Sequence, residues 1–245
     1  MTVANVHLTE RDTQVLGWLR EVGVASSSAL RAAYGHFGGE ELDQRLFSRR
    51  VIKLENAGVI GSAFLSHGRQ HKVYWPAERP YRLARRELAH DLLVAEFSLW
   101  LASGRRSGIT LLDHPAAGGG ALAVTADKPL ATAAALADLM VWFPDDTVGL
   151  VELELTPKSG RKLKTVLDSH AARLRGPEQV AWILYLTTKR AGRVVAEAWR
   201  QLGHEADHPE RLWVLHAVDD ARLVRLDLSE LSEIKPRGTT AGTPS

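Results

Sequence analysis

Apolar positions in the first third of the chain recur at helical spacing. In LTERDTQVLGWLREVG (8–23), Val15, Leu16 and Leu19 return every three or four residues. Thr9 stands where an N-cap belongs, Glu10 and Asp12 fill the first turn, and Gly23 ends the run. SSSALRAAYG offers a serine cap and a short second helix ending near Gly35. EELDQRLFSRRVIKLENAG (40–58) predicts a third helix with Leu42, Leu46, Val51 and Leu54 as its core stripe, stopped at Asn56-Ala57-Gly58. The period then changes to two. VIGSAFLSHGRQHKVYWPA (59–77) predicts two strands joined by Ser66-His67-Gly68-Arg69. Three helices followed by a hairpin predict a winged helix-turn-helix over 1–80, its third helix suited to the DNA major groove and its hairpin forming the wing.

Pro76 and Pro80 mark a linker. RRELAHDLLVAEFSLWLASG (85–104) follows as a long helix of good formers closed by Gly104. GITLLDHPA (108–116), LADLMVWF (136–143) and TVGLVELEL (147–155) are strand-like, with a Gly/Ala-rich stretch over 116–135 between the first two. KSGRKLKTVLDSHAARLR (158–175) and KRAGRVVAEAWRQLG (189–203) are helical, and RLWVLHAVD (211–219) is a final strand. QVAWILYLTT (179–188) is so nearly unbroken in its apolar character that it predicts a strand buried on both faces. Strands that then alternate with helices imply an α/β domain with a mixed central sheet over 81–232. Residues 233–245 are polar and rich in Pro, Gly and Thr, the composition of a disordered tail.

Length and composition narrow the chemistry. At 245 residues the chain accommodates two ordinary domains. Without a cysteine it has neither disulfides nor thiolate metal sites. The N-terminus lacks a basic-then-apolar signal pattern, and no apolar run reaches the roughly 20 residues of a membrane span, so a cytoplasmic protein with no membrane partner is expected. Net charge is only +2, so the distribution of charge matters more than its sum. RLFSRRVIK (45–53) carries four basic residues and no acid. On the third helix Arg45, Ser48, Arg49, Arg50 and Lys53 are candidate DNA contacts, since arginine pairs with guanine edges and lysine or serine holds phosphates. Gly68, Arg69, His71 and Lys72 would bring the wing tip to the backbone or minor groove. The alternative is a solvated basic face on a winged helix that binds protein.

The second candidate site is LVELELTPKSGRK (150–162). In a strand, Val151, Leu153 and Leu155 share one face and Glu152, Glu154 and Thr156 the other. Two carboxylates at that spacing can meet around Mg²⁺ or Mn²⁺, and Asp138 in LADLMVWF offers a third. Two bland alternatives stay open. The glutamates are the wet face of a half-buried strand, or Asp138 pairs with Lys158, Arg161 or Lys162. The ten histidines include no HExxH pair, and His170 is expected at the surface. The glycines of HPAAGGGALA do not form a phosphate-binding loop. The seven tryptophans (Trp18, Trp75, Trp100, Trp142, Trp182, Trp199 and Trp213) mostly sit in apolar periodic runs and are expected in the core.

The order strand-Asp138, strand-Glu152-x-Glu154, basic helix resembles the PD-(D/E)XK nuclease superfamily. That resemblance implies Asp138, Glu152 and Glu154 as metal-binding and catalytic acids. Glu154 stands where the family lysine usually does, which leaves Lys158 as its substitute, reaching back from the helix start. Glu96 matches an accessory acid of some members. Across residues 8–220, LTERDTQVLGWL, SRRVIKLENAGVI and ADLMVWF…VELELTPKS resemble the replication-relaxation family of actinobacterial plasmids, integrated elements and phages. The resemblance implies a sequence-specific double-stranded DNA-binding protein serving plasmid replication, mobilisation or element regulation. Its expected partners are DNA, a second copy of the chain, and replication or mobilisation proteins. Two rivals accompany this expectation: an active Mg²⁺- or Mn²⁺-dependent endonuclease, and a protein-binding regulatory adaptor. If the carboxylate site is a remnant, Lys158 or Arg161 is expected to fill the metal position.

Overall fold

The computed structural model describes residues 6–40, 42–65, 71–81, 85–102, 123–127, 136–143, 145–177, 179–221, 223–225 and 232–233. The strand expected over 108–116, the Ser66–Arg69 turn and residues 234–245 of the expected tail lie outside them, whereas Glu233, also expected in the tail, belongs to a strand. The fold is mixed α/β, with seven helices and two sheets among the described residues. Two compact units divide it, residues 1–103 and 104–245.

In the first unit, α1 (Glu10–Val22) opens on a capping box: Asp12 N donates to Thr9 Oγ1, and Thr9 N donates to Asp12 Oδ2 at 2.7 Å. Gly23, at φ 80°, ends it. β1 (Ala25–Ser26) leads into α2 (Ser27–Gly38), which Ser26 caps. α2 runs beyond the expected stop at Gly35, because Phe37 still packs on the core. α3 (Gln44–Asn56) is capped by the Asp43 carboxylate. β2 (Ile60–Leu65) and β3 (His71–Pro76) pair antiparallel, and β1 adds to the far side of β3, giving the order β1-β3-β2.

The α3 core stripe is Phe47, Val51 and Leu54. Leu46, expected in that stripe, is 54% exposed, and Leu42 is only partly buried. Leu46 lies about 100° round the helix from Phe47, on the side away from Val51, so it falls outside the stripe that Phe47, Val51 and Leu54 make.

α4 (Arg85–Ala102) packs against α1, α2 and β1. Ala95 and Leu99 join the same core as Leu16, Tyr34 and Phe47, and Trp18 Nε1 donates to Ser98 Oγ at 2.9 Å. The break in the chain therefore falls at 103/104 and not at the prolines expected to mark it at 80.

In the second unit, a six-stranded sheet has the order β4-β5-β6-β7-β8-β9. Its strands are β4 (Ala123–Ala126), β5 (Leu139–Trp142), β6 (Val148–Glu154), β7 (Val180–Thr188), β8 (Leu212–Val218) and β9 (Ser232–Glu233). β4 arises inside the Gly/Ala-rich stretch, where no strand is evident from the pattern. β6, β7 and β8 run parallel to their neighbours in that trio, and the outer pairings are antiparallel. α5 (Gly160–Arg175) and α6 (Lys189–Gln201) carry the crossovers, and a short α7 (His204–Asp207) follows. Leu163, Leu167 and Ala171 of α5, with Val195 and Trp199 of α6, pack on the sheet face made by Val148, Leu150, Ile183, Tyr185 and Val214. All of β7 is buried, as the apolar run 179–188 predicts, and so is all of β6. Gly149 is a packing requirement, since a Cβ there would lie 2.1 Å from the Trp182 ring on the paired strand. Trp142 departs from the expected core set, at 39% exposed.

Candidate functional site

Two places in the fold gather the residues singled out by the sequence, one in each unit. The first is the outer face of α3. Arg45, Arg49 and Lys53 are exposed there, and their side chains have no ion pair among the described residues. Ser48 is half-buried, 3.5 Å from Gln44 Nε2.

Arg50 does not belong to that face. Its Nε donates to Asp12 Oδ1 at 2.8 Å, and its Nη2 reaches Asp12 Oδ2 and the His7 carbonyl, the latter at 2.8 Å. Asp12 is 1% exposed and also accepts from Tyr34 Oη at 2.8 Å. Burial alone would raise the Asp12 carboxyl. Donation from Arg50, Thr9 and Tyr34 outweighs it and holds the carboxyl down at about 2. Arg50 thus ties α3 to α1.

Lys72 is likewise committed within the unit. Its Nζ lies 2.7 and 2.9 Å from the two Glu55 oxygens, and 5.1 Å from the Tyr74 ring centre. Of the other wing candidates, Gly68 and Arg69 lie outside the described residues, as does the His71 side chain.

The second place is the carboxyl end of β6. Glu152 and Glu154 share the face that carries Val148 and Leu150, beneath α5 and α6, and are 6% and 5% exposed. They are therefore not the wet face of a half-buried strand. Lys158, between β6 and α5, turns back over them. Its Nζ donates to Glu152 Oε1 at 2.7 Å and lies 2.5 Å from Glu154 Oε2, a charge contact outside hydrogen-bond alignment. Burial opposes the Lys158 charge, but the two glutamates outweigh it and push its ammonium above the usual lysine range.

Asp138, just ahead of β5, accepts from Leu153 N at 2.7 Å, which brings a third carboxylate to the same end of β6. Burial pushes the Glu152 carboxyl up to about 8; Asp138 adds to the shift and Lys158 opposes it. Glu152 Oε2 is buried without a hydrogen-bond partner.

Two further side chains complete this end of the sheet, and the sequence assigned neither to it. Tyr185 pairs across from Glu152 on β7 and is fully buried. Burial first, then the Glu152, Glu154 and Asp138 charges, push its phenol well above the usual value. His170, expected at the surface, is 0% exposed, with Nδ1 3.1 Å from Tyr185 Oη. Burial, with Arg173 and Lys158 nearby, lowers its imidazole to about 4, so it is neutral at physiological pH. The α5 spacing explains the burial: His170 follows Leu163, Val166 and Leu167 on the inward stripe.

One ion pair orders the approach to this site. Arg173 Nη1 reaches Asp127 Oδ2 at 2.5 Å, both residues are buried, and the same oxygen accepts from Ala137 N at 2.8 Å. Ala137, the residue before Asp138, is thereby tied to α5. A cleft of about 730 Å³ between α5 and α6, floored by Leu163 and Ala198, has Lys158 on its wall.

As placed, these residues do not fit a divalent cation. Lys158 Nζ occupies the space between the glutamates, and no group of three His, Cys, Asp or Glu side chains converges as a ligand set among the described residues. Glu96 lies in α4, within the first unit.

No family model matches the chain, and no curated protein matches it either. The replication-relaxation and PD-(D/E)XK resemblances therefore stand on the motifs quoted above.

Proposed function

We propose that this is a double-stranded DNA-binding protein whose first unit is a winged helix-turn-helix. The observation that carries the proposal is the outer face of α3, where Arg45, Arg49 and Lys53 stand exposed and without counter-ions among the described residues. A helix presenting unpaired cations along one face suits the phosphate-lined major groove. The element order α1-β1-α2-α3-β2-β3, with β3 central in its small sheet, supports the winged-helix assignment. Arg50 and Lys72 leave the set of DNA contacts, because Asp12 and Glu55 already hold them. Two to three neutralised phosphates give a slope of about −1.8 to −2.7 in log K against log salt. A salt titration of duplex binding by the full chain tests this. Binding that ignores salt, or no binding to duplex, overturns the proposal.

In the same proposal the second unit is a nuclease-like α/β domain whose carboxylate site is closed by Lys158 and serves as structure. Its role is further DNA contact, dimerisation or docking of replication or mobilisation proteins of a mobile element. A second function, Mg²⁺- or Mn²⁺-dependent DNA cleavage, is favoured by one observation: Asp138 accepts from the backbone next to Glu152 and is near enough for its charge to raise the Glu152 carboxyl, although the three acids do not converge as placed. Incubation of supercoiled plasmid with the protein and either cation separates the two. Nicking that Asp138→Ala abolishes establishes the enzyme, and intact plasmid leaves the binding protein.

A further inference from the structure

Leu46 and Ile52 are 54% and 52% exposed, although α3 buries a full apolar stripe on its other side. At about 100° per residue, the exposed residues Ile52, Arg45, Asn56, Arg49, Lys53 and Leu46 occupy one arc of about 120°. Arg49 and Asn56 lie near its middle. Leu46 and Ile52 lie at its two margins, about 9 Å apart along the axis. Large apolar side chains at the margins of a basic face suit a partner that is apolar at two points and negatively charged around them. The major groove supplies one. Thymine is the base that presents a methyl group there, and that methyl projects toward the wall of its own strand. A helix of about 10–12 Å diameter fills a groove about 12 Å wide, so its two margins face the two strands.

We propose that Leu46 and Ile52 select thymine by methyl contact, one on each strand, while Arg49 and Asn56 face the base edges between them. This rests on the DNA-binding proposal above and adds the base that α3 selects. Both leucine and isoleucine are exposed, so alanine at either place leaves the Phe47, Val51 and Leu54 core intact.

The test begins with selection of sites by the full-length protein from a random-sequence duplex pool. Deoxyuridine, which pairs like thymine but lacks the methyl, then replaces each selected thymine in turn. The expected result is a loss of about fourfold in affinity at one thymine per strand, the value of one buried methyl. Leu46→Ala should abolish the loss at one of these positions and Ile52→Ala at the other, with the melting temperature unchanged. Equal binding of thymine and deoxyuridine sites by the wild type overturns this inference and leaves the DNA-binding proposal in place. Enrichment of no duplex overturns both. Variants that keep the deoxyuridine effect but lose self-association assign the two side chains to a protein interface and overturn the thymine contact alone.

Discussion

Two charged side chains that look alike in the sequence have different work. Arg49 and Arg50 are neighbours in one basic run, yet Arg50 is bound to a carboxylate buried at the α1–α3 junction. The Asp12 carboxyl has an ordinary value of 3.8 and is held at about 2 in the fold. A depressed folded value gives stability that is present above about 3.8 and is lost as pH falls through about 2. The gap corresponds to about 2 kcal/mol. Asp12→Asn should therefore flatten the acid limb of a stability–pH profile measured by urea unfolding. Glu152 has the opposite sign. Its folded value, about 8, lies above the ordinary 4.5, so its contribution is present below about 4.5 and is lost as pH rises through about 8. Stability should decline across that window in the wild type, and Glu152→Gln should remove the decline. At a pH above about 8, where Glu152 is ionised, Lys158→Met leaves two buried carboxylates without their cation. A loss of about 3 kcal/mol is expected, and recovery of stability on adding Mg²⁺ would show that the carboxylates themselves can hold a metal once the lysine is gone.

At the scale of the element, α3 has two faces that mutation should separate. Arg49→Ala removes a cation with no partner inside the protein, so duplex affinity should fall about tenfold or more while the melting temperature stays in place. Arg50→Ala strands the Asp12 charge and should cost about 3 kcal/mol of stability. Its affinity should be close to wild type at temperatures where the unit remains folded. Equal loss of affinity in both variants, without loss of stability in Arg50→Ala, would sink the division between the two faces. The run that became β6 is the second informative element. Alternation put Glu152 and Glu154 on one face of a strand, which held. What alternation does not report is that helices α5 and α6 cover that face, turning a pair of surface acids into a buried, lysine-bridged site.

At the scale of the whole molecule, the unit boundary decides which fragments can be made. α4 supplies Ala95, Leu99 and the Ser98 acceptor for Trp18 to the first core. A fragment of residues 1–103 should unfold cooperatively by circular dichroism, whereas a fragment ending at 80 exposes that surface and should melt at a lower temperature or not fold. Under the DNA-binding proposal, 1–103 binds duplex more weakly than the full chain, because a second unit or second copy adds effective concentration. Among the described residues no helix is long and apolar enough to cross a membrane.

Periodicity, caps and breakers are local properties, so the sequence alone determined most of the elements: the cap at Thr9, the stop at Gly23, the β2–β3 pairing, and the doubly buried β7. Alternation put Glu152 and Glu154 on one face, and the short link from β6 to α5 keeps Lys158 close to them, whereas the resemblance to the nuclease superfamily is what joined Asp138 to the group. Only the tertiary structure decided which cations are free. Arg50 and Lys72 are matched by Asp12 and Glu55, 38 and 17 residues away, and charge in a sequence carries no record of such partners. The same holds for His170 and Tyr185, whose contact joins α5 to β7, and for α4, whose apolar faces suit either unit until packing assigns it to the first. Exposure of Leu46 was equally hidden, because helical spacing alone does not say which flank of the Phe47–Val51–Leu54 stripe the neighbouring elements leave uncovered.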